Sequence, residues 1–288
     1  MTNRFVCVAG LHRTGTSLTA RILGSHPSIS AITGARVPED EGCYLQGAIP
    51  HTARDGRPGH FATDPAQHHV EGSRYDTLAV RDRLLADWSP WFDTGAPWWL
   101  EKSPVNFTRM RLLQQLLPRA HFIVLLRHPQ AMAAALAKWT DRPADALIDY
   151  AMEAYAQLHR DLAYLHAVCV IRYEDLIARP EAVRTGLFAF LELEDHDPAI
   201  KLRDGNADYR LDPSLSDRQA AGLSQWGYGP GGDVDPFEPI VQHPLRSVRE
   251  TVVKAFEGDR AKKNNKLTCV NGPRPVDQIN RPSSWMGS

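Results

Sequence analysis

The sequence predicts an α/β domain of three layers, a mostly parallel sheet between helices, on three observations. Short, continuously apolar runs recur at RFVCVA (4–9), HFIVLL (121–126) and AVCVIR (167–172), as strands buried on both faces do. Segments of helical period separate them, the alternation that builds parallel sheets. With 288 residues, the chain can bury a substantial core as one domain carrying excursions.

The first strand, Arg4–Ala9, ends at Gly10. A glycine-bearing turn follows, then a helix over Ser17–Gly24 with Leu18, Ile22 and Leu23 at helical spacing, closed by His26 and Pro27. Residues 34–75 are rich in Gly, Pro, His and Asp and lack periodicity, which predicts a long irregular segment, either disordered or a functional cover. A helix is expected over 77–88, then the aromatic stretch Trp88, Trp91, Phe92, Trp98 and Trp99, a short strand ending WWLE, and a helix over 107–117 stopped by Pro118. After the strand 121–126 come helices at 130–139 and 144–165, the strand 167–172 and a helix at 183–191. The signal thins from Asp204, with helical character over 241–256. One domain over 1–257 is expected, with 34–75 and 88–99 as acceptor-side excursions and 258–288 as an extended or poorly ordered tail.

Composition narrows the function classes. Arg and Lys number 33 against 34 Asp and Glu, a formal charge of −1, which argues against a dedicated nucleic-acid binder. The cysteines, Cys7, Cys43, Cys169 and Cys269, form no short pair and no zinc-like cluster with histidines. No apolar run approaches a membrane span and the N-terminus lacks a secretion signal, so a cytoplasmic protein without a transmembrane segment is the expectation.

The chemistry starts at VAGLHRTGTSL, Val8–Leu18. Gly10 and Gly15, followed by Thr16 and Ser17, nearly reproduce the phosphate-loop pattern G-x-x-x-x-G-K-[S/T], but Thr16 replaces the lysine and Arg13 carries the charge. Backbone N–H groups from Arg13 to Ser17 and the helix start after them form an anion nest. No apolar run closes in an aspartate suited to Mg²⁺; the two interior strands end instead in Arg127 and Arg172. Arginines at strand ends suit bidentate phosphate contacts, and each is also open to a structural reading. A donor with several separate anionic groups, handled without metal, fits better than ATP–Mg²⁺.

Four segments in order, VAGLHRTGTSL, EKSPVNF, HFIVLLRHPQAMAAAL and VIRYEDL, resemble the nucleotide-dependent sulfotransferases, nearest to the bacterial and Golgi-type branch that includes the protein-tyrosine sulfotransferases. The resemblance covers about residues 4–230. It implies a P-loop NTPase-like fold, 3'-phosphoadenylyl sulfate (PAPS) as donor and PAP as product. It places Arg13, Thr14, Gly15, Thr16 and Ser17 at the 5'-phosphosulfate and Arg127 at the 3'-phosphate. A serine eight residues after that arginine is usual; here it is Ala135, which removes one hydroxyl worth about 1–2 kcal/mol. Lys138, one turn on, is open to either a compensating or a surface role.

Sulfuryl transfer is an in-line displacement, so charge must be met on the leaving group and a base must take the acceptor proton. Arg13 and the hydroxyls of Thr16 or Ser17 suit the first task, and Lys102 in EKSP is a second cation. The tyrosine-sulfating relatives carry a glutamate about twenty residues beyond the loop arginine, where this chain has Gly34. The nearest acids are Glu39, Asp40 and Glu41. Glu41 is favoured as base because Gly42 permits a tight turn, then Glu39, then His51. Glu101 is either another base or a partner of Lys102, and Tyr173–Glu174–Asp175 reads as structural, with Asp175 a helix cap. The acceptor is expected to be a small molecule, glycan or lipid-linked hydroxyl compound. A small-molecule kinase or a non-catalytic nucleotide-binding protein of the same fold are the competing readings.

Overall fold

The computed structural model describes residues 4–50, 57–212 and 214–264, with side chains to 257. Its sheet has six strands: β1 (Arg4–Gly10), β2 (Ile29–Ala31), β3 (Trp98–Lys102), β4 (Ala120–Leu126), β5 (Val168–Arg172) and β6 (Ile240–Gln242), in the order β2-β3-β1-β4-β5-β6. Every pairing is parallel except β5 with β6, which is antiparallel. Nine helices accompany it: α1 (Thr16–Gly24), α2 (Leu78–Trp88), α3 (Met110–Leu116), α4 (Pro129–Leu136), α5 (Ala144–Leu162), α6 (Tyr173–Ala178), α7 (Pro180–Phe190), α8 (Asp217–Ser224) and α9 (Arg246–Asn264), among the described residues.

Alternation along each strand makes two cores. Phe5, Cys7, Ala9, Phe122 and Val124 face α2, α3, α4 and α5. Val6, Val8, Ile123, Leu125 and Ile171 face the other way, onto α1, α7 and α9. All seven residues of β4 are buried, which is why HFIVLL carries no polar alternation.

The three-layer α/β architecture with a mostly parallel sheet thus agrees with the expectation, and the differences are local. β2 and β6 have three residues each, too few for a periodic signal, and β6 takes the start of a segment expected to be helical. The helix expected over 107–117 opens as a tight, wholly buried turn, Pro104–Thr108, before α3 starts at Met110. Residues 258–264, expected as the start of a tail, continue α9 to Asn264 through the helix-forming DRAKK; residues 265–288 lie outside the described residues.

Segment 34–75, where described, is irregular but docked. Phe61 is fully buried, His69 N–H donates to Thr108 O at 2.9 Å, and Arg111 on α3 grips Glu71 at 2.6 Å. The register sets Val8 beside Lys102, Gly10 beside Leu125 and Leu126 beside Arg172. The ends of β1, β3, β4 and β5 therefore share one edge of the sheet, and the chemistry-bearing residues gather there.

Candidate active site

The loop between β1 and α1 is shaped by its own contacts. Thr14 turns inward, its N–H and Oγ1 both donating to Leu11 O at 3.2 and 2.8 Å. That hydroxyl is committed to the loop, so Thr14 falls outside the cleft lining, contrary to its expected place among the donor-binding groups. Arg13 and Gly15 take left-handed backbone, φ 68° and 99°. At Gly15 only glycine fits: a Cβ would stand 2.8 Å from Cδ2 of Tyr173. Gly15 caps α1, whose first N–H groups, from Thr16 and Ser17, have no intrahelical partner and stay open to an anion.

Arg127 leaves the end of β4 and reaches back over this loop. Its Nη1 donates to Arg13 O at 2.7 Å and its Nε to Asn206 Oδ1 at 2.8 Å, while its guanidinium lies 4.8 Å from the Tyr173 ring. Nη2 is buried without a partner, a donor waiting for an acceptor oxygen. Glu174 holds this side together by accepting from His128 N–H, Asn206 Nδ2 and the Tyr228 hydroxyl. Arg13 is exposed, its guanidinium 5.0 Å from the centre of Trp139.

Across the loop lies the acid–base pair. Glu41 is 6% exposed and accepts from Lys102 Nζ at 3.2 Å. Burial pushes its carboxyl up to about 7 against the opposing pull of Lys102. Gly42 makes this possible by close approach rather than unusual backbone: a Cβ there would meet Cγ of Glu101 at 2.6 Å. Glu101 itself faces away, fully buried, accepting from Ser103 Oγ and Asn106 Nδ2; it neither pairs with Lys102 nor reaches the cleft. Burial, then the neighbouring Lys102, lowers His12 to about 4, so its imidazole is neutral at neutral pH. Glu39 is exposed and accepts from Ser17 Oγ at 3.1 Å, and Asp40 binds the N–H groups of Gly34 and Ala35.

One cleft of about 380 Å³ joins both sides. Its lining includes His12, Arg13, Gly15, Thr16, Ser17, Glu39, Glu41, Arg127, Trp139 and Tyr173, together with Arg203, Gly205, Asp208 and Tyr209. Lys102 reaches it through Glu41. Segment 203–209 carried no signal in the sequence. It is placed by Gly205 N–H donating to the Tyr173 hydroxyl at 2.7 Å and by Asn206 bridging Arg127 and Glu174.

Other expected residues lie elsewhere. Arg172 is structural, its Nε bound to Asp175 at 2.7 Å and its Nη1 to Gly227 O at 2.8 Å. Asp175 is not a cap; it sits in the first turn of α6 and also pairs with Arg179. Ala135 is buried in α4 and Lys138 is exposed, neither lining the cleft. Residues 88–99 line none of it: Trp88, Trp98 and Trp99 are core, and Trp98 pairs with Arg4 at the sheet's opposite edge. His51 lies outside the described residues.

Among the described residues one group has ion-holding spacing, His121, Glu192 and His243, away from the cleft at the start of β4. His243 Nδ1 accepts from Leu245 N–H at 3.1 Å, so its proton sits on Nε2, 3.0 Å from His121 Nε2. Those nitrogens form an imidazole–imidazole hydrogen bond.

The model of the Sulfotransferase family matches residues 6–197, from the first strand through the loop, β3, Arg127 and α6. The chain belongs to that family; it is an enzyme that moves the sulfuryl group of PAPS to a hydroxyl acceptor. Solved structures similar to it include a sulfotransferase from Mycobacterium tuberculosis (17% identity over 72% of this chain and 70% of that one, TM-score 0.41). Another is a sulfotransferase from Alicyclobacillus acidocaldarius (18% identity, 78% and 94% covered, TM-score 0.48). A third comes from Mycobacterium avium (15% identity, 92% and 77% covered, TM-score 0.42). No curated protein matches the chain.

Proposed function

We infer that the two sides of this cleft divide the reaction, the loop and Arg127 holding the donor and Glu41 activating the acceptor. The observation that carries the reading is a buried carboxylate, held near pKa 7 and paired to a lysine, opening into the same cleft as an arginine-bearing anion loop. In this reading the N–H groups of Gly15, Thr16 and Ser17 and the guanidinium of Arg13 hold the 5'-phosphosulfate. The unpartnered Nη2 of Arg127 supports its assignment to the 3'-phosphate. Asn206 accepts from Arg127 Nε and gives way or shares it when the nucleotide binds.

The acceptor O–H gives its proton to the Glu41 carboxylate as its oxygen bonds to sulfur. The bond from sulfur to the 5'-phosphate oxygen breaks, and the charge arriving on that phosphate is met by Arg13 and the start of α1. Lys102 keeps Glu41 aimed into the cleft and offers a cation to a sulfuryl oxygen. A pKa near 7 suits a base that must be ionised yet able to accept a proton at neutral pH. Glu39 stands at the mouth on Ser17 and orients that hydroxyl rather than taking the proton.

The fold reads as a variant of the phosphate-loop nucleotide-binding architecture with Arg13 in place of the loop lysine, supported by the strand–loop–helix setting. Residues 4–257 read as one domain. The acceptor side, with Glu39, Glu41 and His12, suits a polar, hydroxyl-rich compound such as a small molecule, a glycan or the sugar of a glycolipid. The three described cysteines are buried free thiols, which suits the reducing cytoplasm. The test is transfer of ³⁵S from labelled PAPS to a panel of hydroxyl acceptors with a chelator present. Label appearing on an acceptor supports the reading; transfer that requires added divalent metal contradicts it.

A further inference from the structure

His12, the residue before Arg13, lines the catalytic cleft together with Glu39 and Glu41. Its backbone is held on both sides: Leu11 O accepts from Thr14 N–H and Oγ1, and Arg13 takes left-handed backbone. Its ring is held too, edge to face on Phe61 with the ring centres 5.3 Å apart, and Phe61 is fully buried. An imidazole fixed at both backbone and ring presents its polar edge in one direction.

The two ring nitrogens differ. Nδ1 is buried without a partner, whereas Nε2 is bonded to no described residue and is left to the cleft that the ring lines. Burial, then the neighbouring Lys102, keeps the ring uncharged at neutral pH, so it carries a single N–H. Folded proteins tolerate an enclosed acceptor without a donor better than an enclosed N–H without an acceptor. The proton therefore sits on Nε2, and the cleft receives a hydrogen-bond donor there.

The neighbours of the ring place this donor on the acceptor side. Phe61 belongs to the docked segment that also carries Glu39 and Glu41, and Lys102, close enough to act on His12, bonds Glu41 at 3.2 Å. Arg127, Tyr173 and segment 203–209 are tied to one another instead. The other acceptor-side groups either accept or are engaged, since Glu39 and Glu41 are carboxylates and Lys102 is held by Glu41. Those carboxylates repel an anion, so the oxygen that meets Nε2–H is uncharged. On the reading that Glu41 takes the acceptor proton, we propose that His12 is an acceptor-binding residue, donating from Nε2 to a hydroxyl, ether or carbonyl oxygen beside the hydroxyl under attack. The substrate class is then a polyol or sugar rather than an isolated alcohol.

The experiment is ³⁵S transfer from labelled PAPS to methyl glucoside, glycerol, cyclohexanol and phenol, by the wild type and by His12→Gln, His12→Asn and His12→Phe. Glutamine sets an amide N–H where Nε2 stands, asparagine falls short of it, and phenylalanine keeps the contact with Phe61 without a donor. The wild type favours the first two acceptors. One uncharged hydrogen bond is worth about three- to ten-fold, so His12→Phe and His12→Asn lose about that much kcat/KM on the polyols, mostly as KM, and none on cyclohexanol or phenol. His12→Gln stays within about two-fold of the wild type. Bisphosphate affinity is unchanged in all three, and the rise of turnover with pH below 7 remains, which separates this role from that of the base. Cooperative thermal unfolding shows which variants are folded. Imidazole ¹⁵N NMR of the wild type, with His12→Gln for assignment, shows the ring uncharged at neutral pH with its proton on Nε2. Polyol transfer unaltered in folded His12→Phe, or a folded His12→Gln that fares no better than His12→Phe, overturns the proposal and leaves Glu41 as the base. A proton found on Nδ1 does the same, as does a wild type that labels neither polyol or labels cyclohexanol as readily. Loss of the acidic limb in His12→Phe makes His12 the base and overturns both assignments.

Discussion

Replacing Glu41 by glutamine tests the acid–base assignment while changing the side chain's shape least. Glu41 is 6% exposed, bound to Lys102 at 3.2 Å and raised by burial to about 7. About one molecule in ten therefore carries it ionised at pH 6 and about nine in ten at pH 8. Turnover of the wild type should rise about ten-fold per pH unit below 7 and level off above it. General-base catalysis is worth about 10²- to 10⁴-fold, so Glu41→Gln should lose about 3–5 kcal/mol of transition-state stabilisation at pH 8. It should also lose the acidic limb, leaving a flat profile. The assay is ³⁵S transfer at saturating donor from pH 5.5 to 8.5, with bisphosphate affinity measured beside it, because the variant leaves the buried Lys102 ammonium without its carboxylate. Donor affinity should be unchanged. A variant that keeps most of its turnover, or keeps the wild-type limb near pH 7, refutes the assignment.

Other consequences follow from the same contacts. Gly15→Ala puts a methyl 2.8 Å from Tyr173 at a φ of 99°; thermal unfolding should show a loss of about 1–2 kcal/mol, and calorimetry a weakened bisphosphate site. Arg172→Met breaks a buried pair with Asp175 and strips a donor from Gly227 O, so urea unfolding should show a loss of about 3–5 kcal/mol. Bisphosphate and 5'-phosphate affinities should then fall together, if at all, since Arg172 is a fold residue.

The contrast between Arg127 and Arg172 shows what the sequence could and could not reveal. Both follow continuously apolar strands, and by pattern alone both suit a phosphate. What separates them is Asp175, three residues after Arg172, which captures its guanidinium, whereas no acid waits at the same distance from Arg127. That signal was readable. So was the capping box of Ser216 and Gln219 at the start of α8. Glu41 was legible through Gly42, which opens the tight turn Gly42–Tyr44 and also packs closely on Glu101.

Other parts were not legible in principle. Thr14 and Ser17 are both hydroxyl residues in one loop, and only the three-dimensional turn sends one inward to Leu11 O and the other into the cleft. Segment 203–209 has no apolar period, and its place depends on Tyr173 and Glu174, some thirty residues earlier. The tryptophans of 88–99 would look alike as core or as a ligand wall. Strand register decides, setting Trp98 beside Arg4 at the edge away from the loop.

The central claim is that Arg127 recognises the second phosphate of the donor nucleotide. Calorimetry of adenosine 3',5'-bisphosphate and of adenosine 5'-phosphate, on wild type and Arg127→Ala, tests it directly. The account predicts that the substitution weakens the bisphosphate about 10- to 100-fold, the worth of a charged hydrogen-bonded contact, and weakens the monophosphate by less than about three-fold. Equal losses for the two ligands would contradict it.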